Sequence, residues 1–209
     1  VIEQPITLEI LVEEQSAKTA LEILVPKIVP GLRPDIFEFR GKDTLLRQLP
    51  RRLAGYAARA RWESVKVVVL VDRDNQDCAA LKEELEGMAK AAGVPTRASA
   101  PTGFTLLNRI VVEELEAWFL GDVPALRAAY PRVPPGLARQ EAFRDPDDVS
   151  GGTWQALERV LIKHGYHRPR LQKVLAATDI APHMDVENNR SPSFRAFRDG
   201  IRRLVKEGN

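Results

Sequence analysis

Val67-Val68-Val69-Leu70-Val71-Asp72-Arg73-Asp74 is the stretch that decides the fold. Five apolar residues, mostly β-branched, stop abruptly at two carboxylates. A run this short with no polar face suits a central strand of a parallel sheet covered on both sides. Upstream, Ile6 to Val12 alternates apolar and polar residues at the strand period. A helix is expected from Ala17 to Val25, with Ser16 as its N-cap, Ala20, Leu21 and Leu24 as its apolar face, and Pro26 as its end. Ile36 to Phe39 reads as a second strand, Gly41-Lys42-Asp43 as a turn, and Thr44 to Ala60 as a helix interrupted or restarted at Pro50. Downstream come a helix from Asp77 to Ala92 stopped by Gly93, a weak strand from Val94 to Ser99, a strand from Leu106 to Val112 and a helix from Glu113 to Leu120. This alternation implies an α/β fold, a parallel sheet with helices on both faces, over residues 1–122. Residues 123–209 read as a proline-rich connector and a helical C-terminal extension. Its helices are expected at Trp154–His164, Arg168–Ala176 and Ser193–Lys206.

Composition removes several classes. The chain has 209 residues, 44% hydrophobic and 29% charged, which is too apolar for disorder and too poor in glycine and proline for a fibre. Lysine and arginine total 31 against 29 acids, so charge distribution rather than net charge must identify a polyanion partner. A single cysteine, Cys78, rules out a disulfide framework and a cysteine-rich zinc module. No targeting segment is expected at Val1–Pro5, and Val67–Val71 is far short of the ~20 helical residues that span a bilayer. The expected compartment is the cytoplasm.

Three expected strands end in carboxylates: Glu13 and Glu14, then Asp72 and Asp74, then Glu113, Glu114 and Glu116. Parallel strands put all three groups on one sheet edge, where open α/β sheets bind ligands. Clustered carboxylates repel, and a cation relieves them. With no histidine or cysteine nearby, oxygen donors favour Mg²⁺ or Mn²⁺ over Zn²⁺. The competing reading is helix capping, most simply by Asp74 or Asp77. If the last helix starts near Glu113, residues 114 and 116 lie about 200° apart and only one faces an ion; Glu114, nearer the strand, is then preferred.

Several of these stretches carry a family resemblance. Leu11 to Ser16, with Glu13 leading into a helix, looks like the first motif of the Toprim domain, and Val69 to Asp74 looks like its Asp-x-Asp motif about 60 residues later. Val12–Ser16, Phe39–Lys42, Leu70–Cys78, Glu114–Trp118 and Asn189–Phe194 together resemble a small family of stand-alone Toprim-like proteins, DUF4276, related to Toprim and overcoming-lysogenisation-defect nucleases. The resemblance implies a Toprim, Rossmann-like sheet and metal-dependent cleavage of nucleic-acid phosphodiesters with Mg²⁺ or Mn²⁺. It implies Glu13, Asp72 and Asp74 as the catalytic core, with Glu14, Glu114 and Glu116 as further metal ligands. Many Toprim nucleases carry Gly and a later Asp where this chain has Glu14 and Ala17. The partners implied are DNA or RNA and an AAA-type or structural-maintenance-like ATPase in a bacterial defence setting, with further copies of the chain and without a membrane.

Basic residues are unevenly spread. Residues 40–61 carry a surplus of six positive charges and residues 189–209 a surplus of four. Such local excess suits phosphate backbones, although a solvated helix face explains each patch alone. Lys42, Arg47, Arg51, Arg73 and Arg190 are the expected nucleic-acid contacts. Gly41-Lys42-Asp43-Thr44 is not a Walker loop: Ile36 stands where its first glycine belongs and Lys42 is not followed by Ser or Thr. His164 and His167 read as exposed helix-end histidines, Cys78 as a small buried residue, and Trp62, Trp118 and Trp154 as core anchors. The competing functions are a non-catalytic Toprim-shaped subunit that binds nucleic acid or a partner, and phosphoryl transfer on a free nucleotide.

Overall fold

A computed structural model describes residues 6–74, 76–112 and 114–206. The expectations placed on Val1–Pro5 and Glu113 lie outside them. Strands β1 (Thr7–Val12), β2 (Asp35–Glu38), β3 (Val65–Asp72) and β4 (Leu106–Val111) form one all-parallel sheet in the order β2-β1-β3-β4. β3 lies between β1 and β4, pairing Val69 with Leu11 on one side and with Asn108 on the other. Its continuous apolar run therefore has a cover to meet on each face.

Strand alternation divides the core. Leu8, Ile10, Val12, Val68 and Leu70 face α1 (Gln15–Ile28) and the C-terminal helices, among them α7 (Lys173–Ile180) and α8 (Pro192–Lys206). Leu11, Val67, Val69 and Val71 face α2 (Lys42–Arg59) and α3 (Cys78–Ala91). The other helices are α4 (Glu116–Leu120), α5 (Val123–Ala129) and α6 (Thr153–Lys163). Among the described residues, no helix is long and apolar enough to cross a membrane.

Several local expectations are corrected. α1 and α2 run through Pro26 and Pro50. An interior proline costs ~3 kcal/mol, but burying Ile28 beyond Pro26, and Leu53 and Tyr56 beyond Pro50, returns about 1.5–3 kcal/mol for each large apolar side chain. Glu14, not Ser16, precedes the first turn of α1. Residues 94–99 contribute one isolated bridge, Thr96 to Leu106, because the Ser99 and Ala100 N–H groups turn back to the Thr96 carbonyl. The connector holds a helix, α5, capped by Asp122 accepting from the Ala125 N–H and opened by Pro124 in its first turn. α7 begins at Lys173 rather than Arg168, since the Leu171 N–H is given to Glu158 and the Gln172 N–H to His167 Nδ1. That His167 is buried, bonded to the Tyr130 hydroxyl at 2.6 Å, and is not an exposed helix end. Trp118 is a core anchor, whereas Trp62 is 80% exposed. Asp77 does cap α3, accepting from the Ala80 N–H.

Candidate metal centre

Parallel strands deliver their C-terminal carboxylates to one edge. Glu13 follows β1 directly, and its Oε1 accepts the Asp72 N–H at 2.8 Å, which ties the end of β1 to the end of β3. The Asp72 side chain continues the parity of Val68 and Leu70 and so faces the α1 side. Glu114 and Glu116 arrive from the turn after β4. Glu13, Glu14, Asp72 and Glu116 line one small cavity with Leu70, Val111 and Lys173.

Lys173, the first residue of α7, places its ammonium 3.6 Å from Glu14, 3.9 Å from Glu114 and 3.8 Å from Glu116. Glu114 and Glu116 thus reach one cation together. The expected conflict disappears because α4 starts at Glu116, so Glu114 lies outside the helix and is not bound to its 100° step. Glu114 also accepts the Trp154 N–H at 3.3 Å.

Burial sets the proton affinities here. It raises Glu13 to about 7, against the lowering effects of the Asp72 N–H and Lys42. It raises Glu116 to about 7 as well, against Lys173. Asp72 is pushed well above the usual carboxylate range by lost hydration and then by the charges of Glu13 and Glu116. Glu114 is raised by burial. Burial pulls Lys173 down, but Glu116, Glu14 and Glu114 together hold it above the ordinary lysine value. Glu116 Oε2 is buried with no hydrogen-bond partner, a costly state for an ionised oxygen.

The remaining expected residues sit apart. Asp74, at a positive φ of 50°, is turned to Lys42, whose ammonium also meets the Arg73 carbonyl and Gln76 Oε1. Lys42 is therefore occupied rather than free for a phosphate. Arg190 gives its guanidinium to the carbonyls of Phe143 and Arg144. Arg73 ends the sheet, its N–H bonded to the Val111 carbonyl. Arg47 and Arg51 are exposed on α2.

Over residues 12–202 the chain matches the model of a family described as a domain of unknown function, DUF4276. The chain belongs to that family. Neither a curated protein nor a solved structure matches it. The stretches that carry the DUF4276 resemblance now have structural roles. Trp118 packs against Phe194 and Phe197, donates from Nε1 to Ser193 Oγ at 3.0 Å, and gives its carbonyl to Asn189 Nδ2 at 2.8 Å. Asp147 accepts from Ser191 Oγ and the Ser193 N–H. The late Asn189–Phe194 segment is thus a buttress for the short helix that carries Glu116. Gly121, just after that helix, is required by close packing: a Cβ there meets Asn189 Oδ1 at 2.2 Å.

The donor set suits a hard cation: carboxylate oxygens throughout, one of them buried and unpartnered. Among the described residues, no three carboxylate, imidazole or thiolate groups stand arranged around one ion-sized point. The cation they meet in this structure is the ammonium of Lys173.

Proposed function

We propose that this DUF4276 protein is a Toprim-type, Mg²⁺- or Mn²⁺-dependent nuclease that hydrolyses nucleic-acid phosphodiesters at the carboxyl edge of its sheet. The observation that carries the reading is the convergence of Glu13, Asp72 and Glu116 from three separate chain segments, with Glu116 Oε2 buried and unpartnered. Three carboxyls held above their ordinary proton affinity are a costly arrangement that a divalent ion offsets, and perturbed groups of this kind concentrate at functional sites. Glu13, Asp72 and Glu116 are the residues that would hold the ion. When bound, the ion polarises a phosphate oxygen and lowers the pKa of an attacking water. Glu13 keeps Oε1 on the Asp72 N–H, which leaves Oε2 for the ion or for a proton at neutral pH. Lys173 offsets the remaining negative charge and favours the approach of an anionic substrate.

One observation favours the non-catalytic subunit: Lys173 already neutralises part of the cluster. Cleavage of single- and double-stranded DNA and RNA with Mg²⁺ or Mn²⁺ separates the two readings. The nuclease cleaves at least one substrate, and E13Q and D72N abolish cleavage while folding normally. A wild-type protein that binds nucleic acid but cleaves none of them under either ion is the non-catalytic subunit.

A further inference from the structure

α2 and α8 both carry basic residues at four-residue spacing, but in α8 Arg198 and Arg202 are paired with Glu187. Arg47, Arg51, Gly55 and Arg59 recur every four residues on one stripe, with Arg52 beside them, and they line an open groove of about 580 Å³. Arg47 and Arg51 pair with none of the described residues. Arg52 stacks 5.2 Å from the Phe37 ring centroid and 5.4 Å from that of Phe39, which fixes its guanidinium at the groove. Arg59 is anchored by Glu9 and Glu63 at the far end. Just past the helix, Trp62 is 80% exposed.

Gly55 is the second anomaly. Glycine in a helix interior costs up to ~1 kcal/mol relative to alanine. No packing reason requires it, since a Cβ at position 55 meets nothing within 4 Å. Its effect is to leave bare backbone in the middle of the arginine groove, where a ligand can approach closely.

We infer that this face is a track for single-stranded nucleic acid, running along α2 from Trp62 to the carboxylate edge. A four-residue step rises about 6 Å along the helix, close to the spacing of consecutive phosphates in an extended strand. An exposed indole three residues beyond the end of a basic helix is a stacking platform for an unpaired base; bases inside a duplex have no free face to offer it. The track leads to the carboxylates because α2 starts there: the Gly41 N–H donates to the Glu13 carbonyl at 2.8 Å, and Arg47 lies about 7–8 Å of helix rise beyond Lys42. The inference rests on the nuclease reading for what happens at that edge, whereas occupancy of the track is independent of any metal.

Fluorescence anisotropy with a labelled 20-nucleotide single strand and its duplex, in EDTA and across a salt series, tests it. Wild type binds the single strand more tightly than the duplex. R47A/R51A lowers the slope of log affinity against log salt by about 1.4, from ~0.7 per phosphate contact. W62A weakens binding about tenfold, within the range of one base–aromatic stack, and leaves the slope unchanged. All three side chains are exposed, so the variants keep the fold, and unfolding midpoints confirm it. Equal or tighter binding of the duplex, or variants that bind as wild type does, overturns the track. Strand binding with the expected variant effects but no cleavage under Mn²⁺ leaves the track standing and removes the nuclease; Mn²⁺-dependent cleavage unaffected by the α2 variants does the reverse.

Discussion

Glu116→Gln should make the metal-free protein more stable at alkaline pH. Glu116 is 1% exposed and titrates near 7 in the folded chain against 4.5 as an ordinary carboxyl. Between those values the folded chain holds a proton that the unfolded chain has lost. Stability therefore falls as pH rises through that window, the reverse of the usual carboxylate behaviour. At 1.36 kcal/mol per pH unit, ionising Glu116 in the folded state costs about 3 kcal/mol. Glutamine keeps the shape of the protonated acid and never ionises. Any constant cost of the amide is the same at every pH and cancels in a comparison of two pH values. Urea unfolding in EDTA at pH 5 and pH 8.5, for wild type and variant, reads the effect from the midpoints. The difference should move by about 2.5 kcal/mol in favour of E116Q on going from pH 5 to pH 8.5, since the unfolded carboxyl is already mostly ionised at pH 5. A difference that stays constant with pH, or moves the other way, refutes the claim that burial raises the proton affinity of Glu116.

Lys173→Met should destabilise the metal-free protein by about 3–5 kcal/mol at pH 8, the cost of stripping a partner from buried charges, and Mn²⁺ should recover part of it in a thermal shift; K173M as stable as wild type contradicts the charge assignment. Gly121→Ala drives a methyl group into Asn189 and should cost about 1–3 kcal/mol by urea unfolding, through the support of Trp118. His167, whose proton affinity is lowered by burial, gives stability that is present above pH 6.5 and lost as pH falls; H167Q should flatten that acid limb, and an unchanged limb removes His167 as its source.

The parallel sheet and the carboxylate edge are legible in the sequence because both rest on local signals. The centre of β3 is a short run without a polar face; Glu13 directly follows β1, Asp72 ends β3, and Glu114 comes three residues after the end of β4. Lys173 is not legible. It enters the site from α7, about 60 residues after Glu114, and its neighbourhood reads as the middle of a helix begun at Arg168. The helix start is hidden because Leu171 and Gln172 spend their N–H groups on distant side chains, Glu158 and His167. Pro26 and Pro50 mislead for a related reason: a local penalty is visible, whereas the burial of Ile28 and Tyr56 that outweighs it is tertiary. Trp62 reads as core from residue type alone, and only its position past the end of α2 exposes it.

Mn²⁺ soaked into crystals and located by its anomalous scattering decides whether the sheet edge is a metal centre. A peak bounded by Glu13, Asp72 and Glu116, absent from D72N crystals treated identically, is the expected result. Well-ordered wild-type crystals in millimolar Mn²⁺ with the Lys173 ammonium still seated among the carboxylates, and no peak beside it, contradict it.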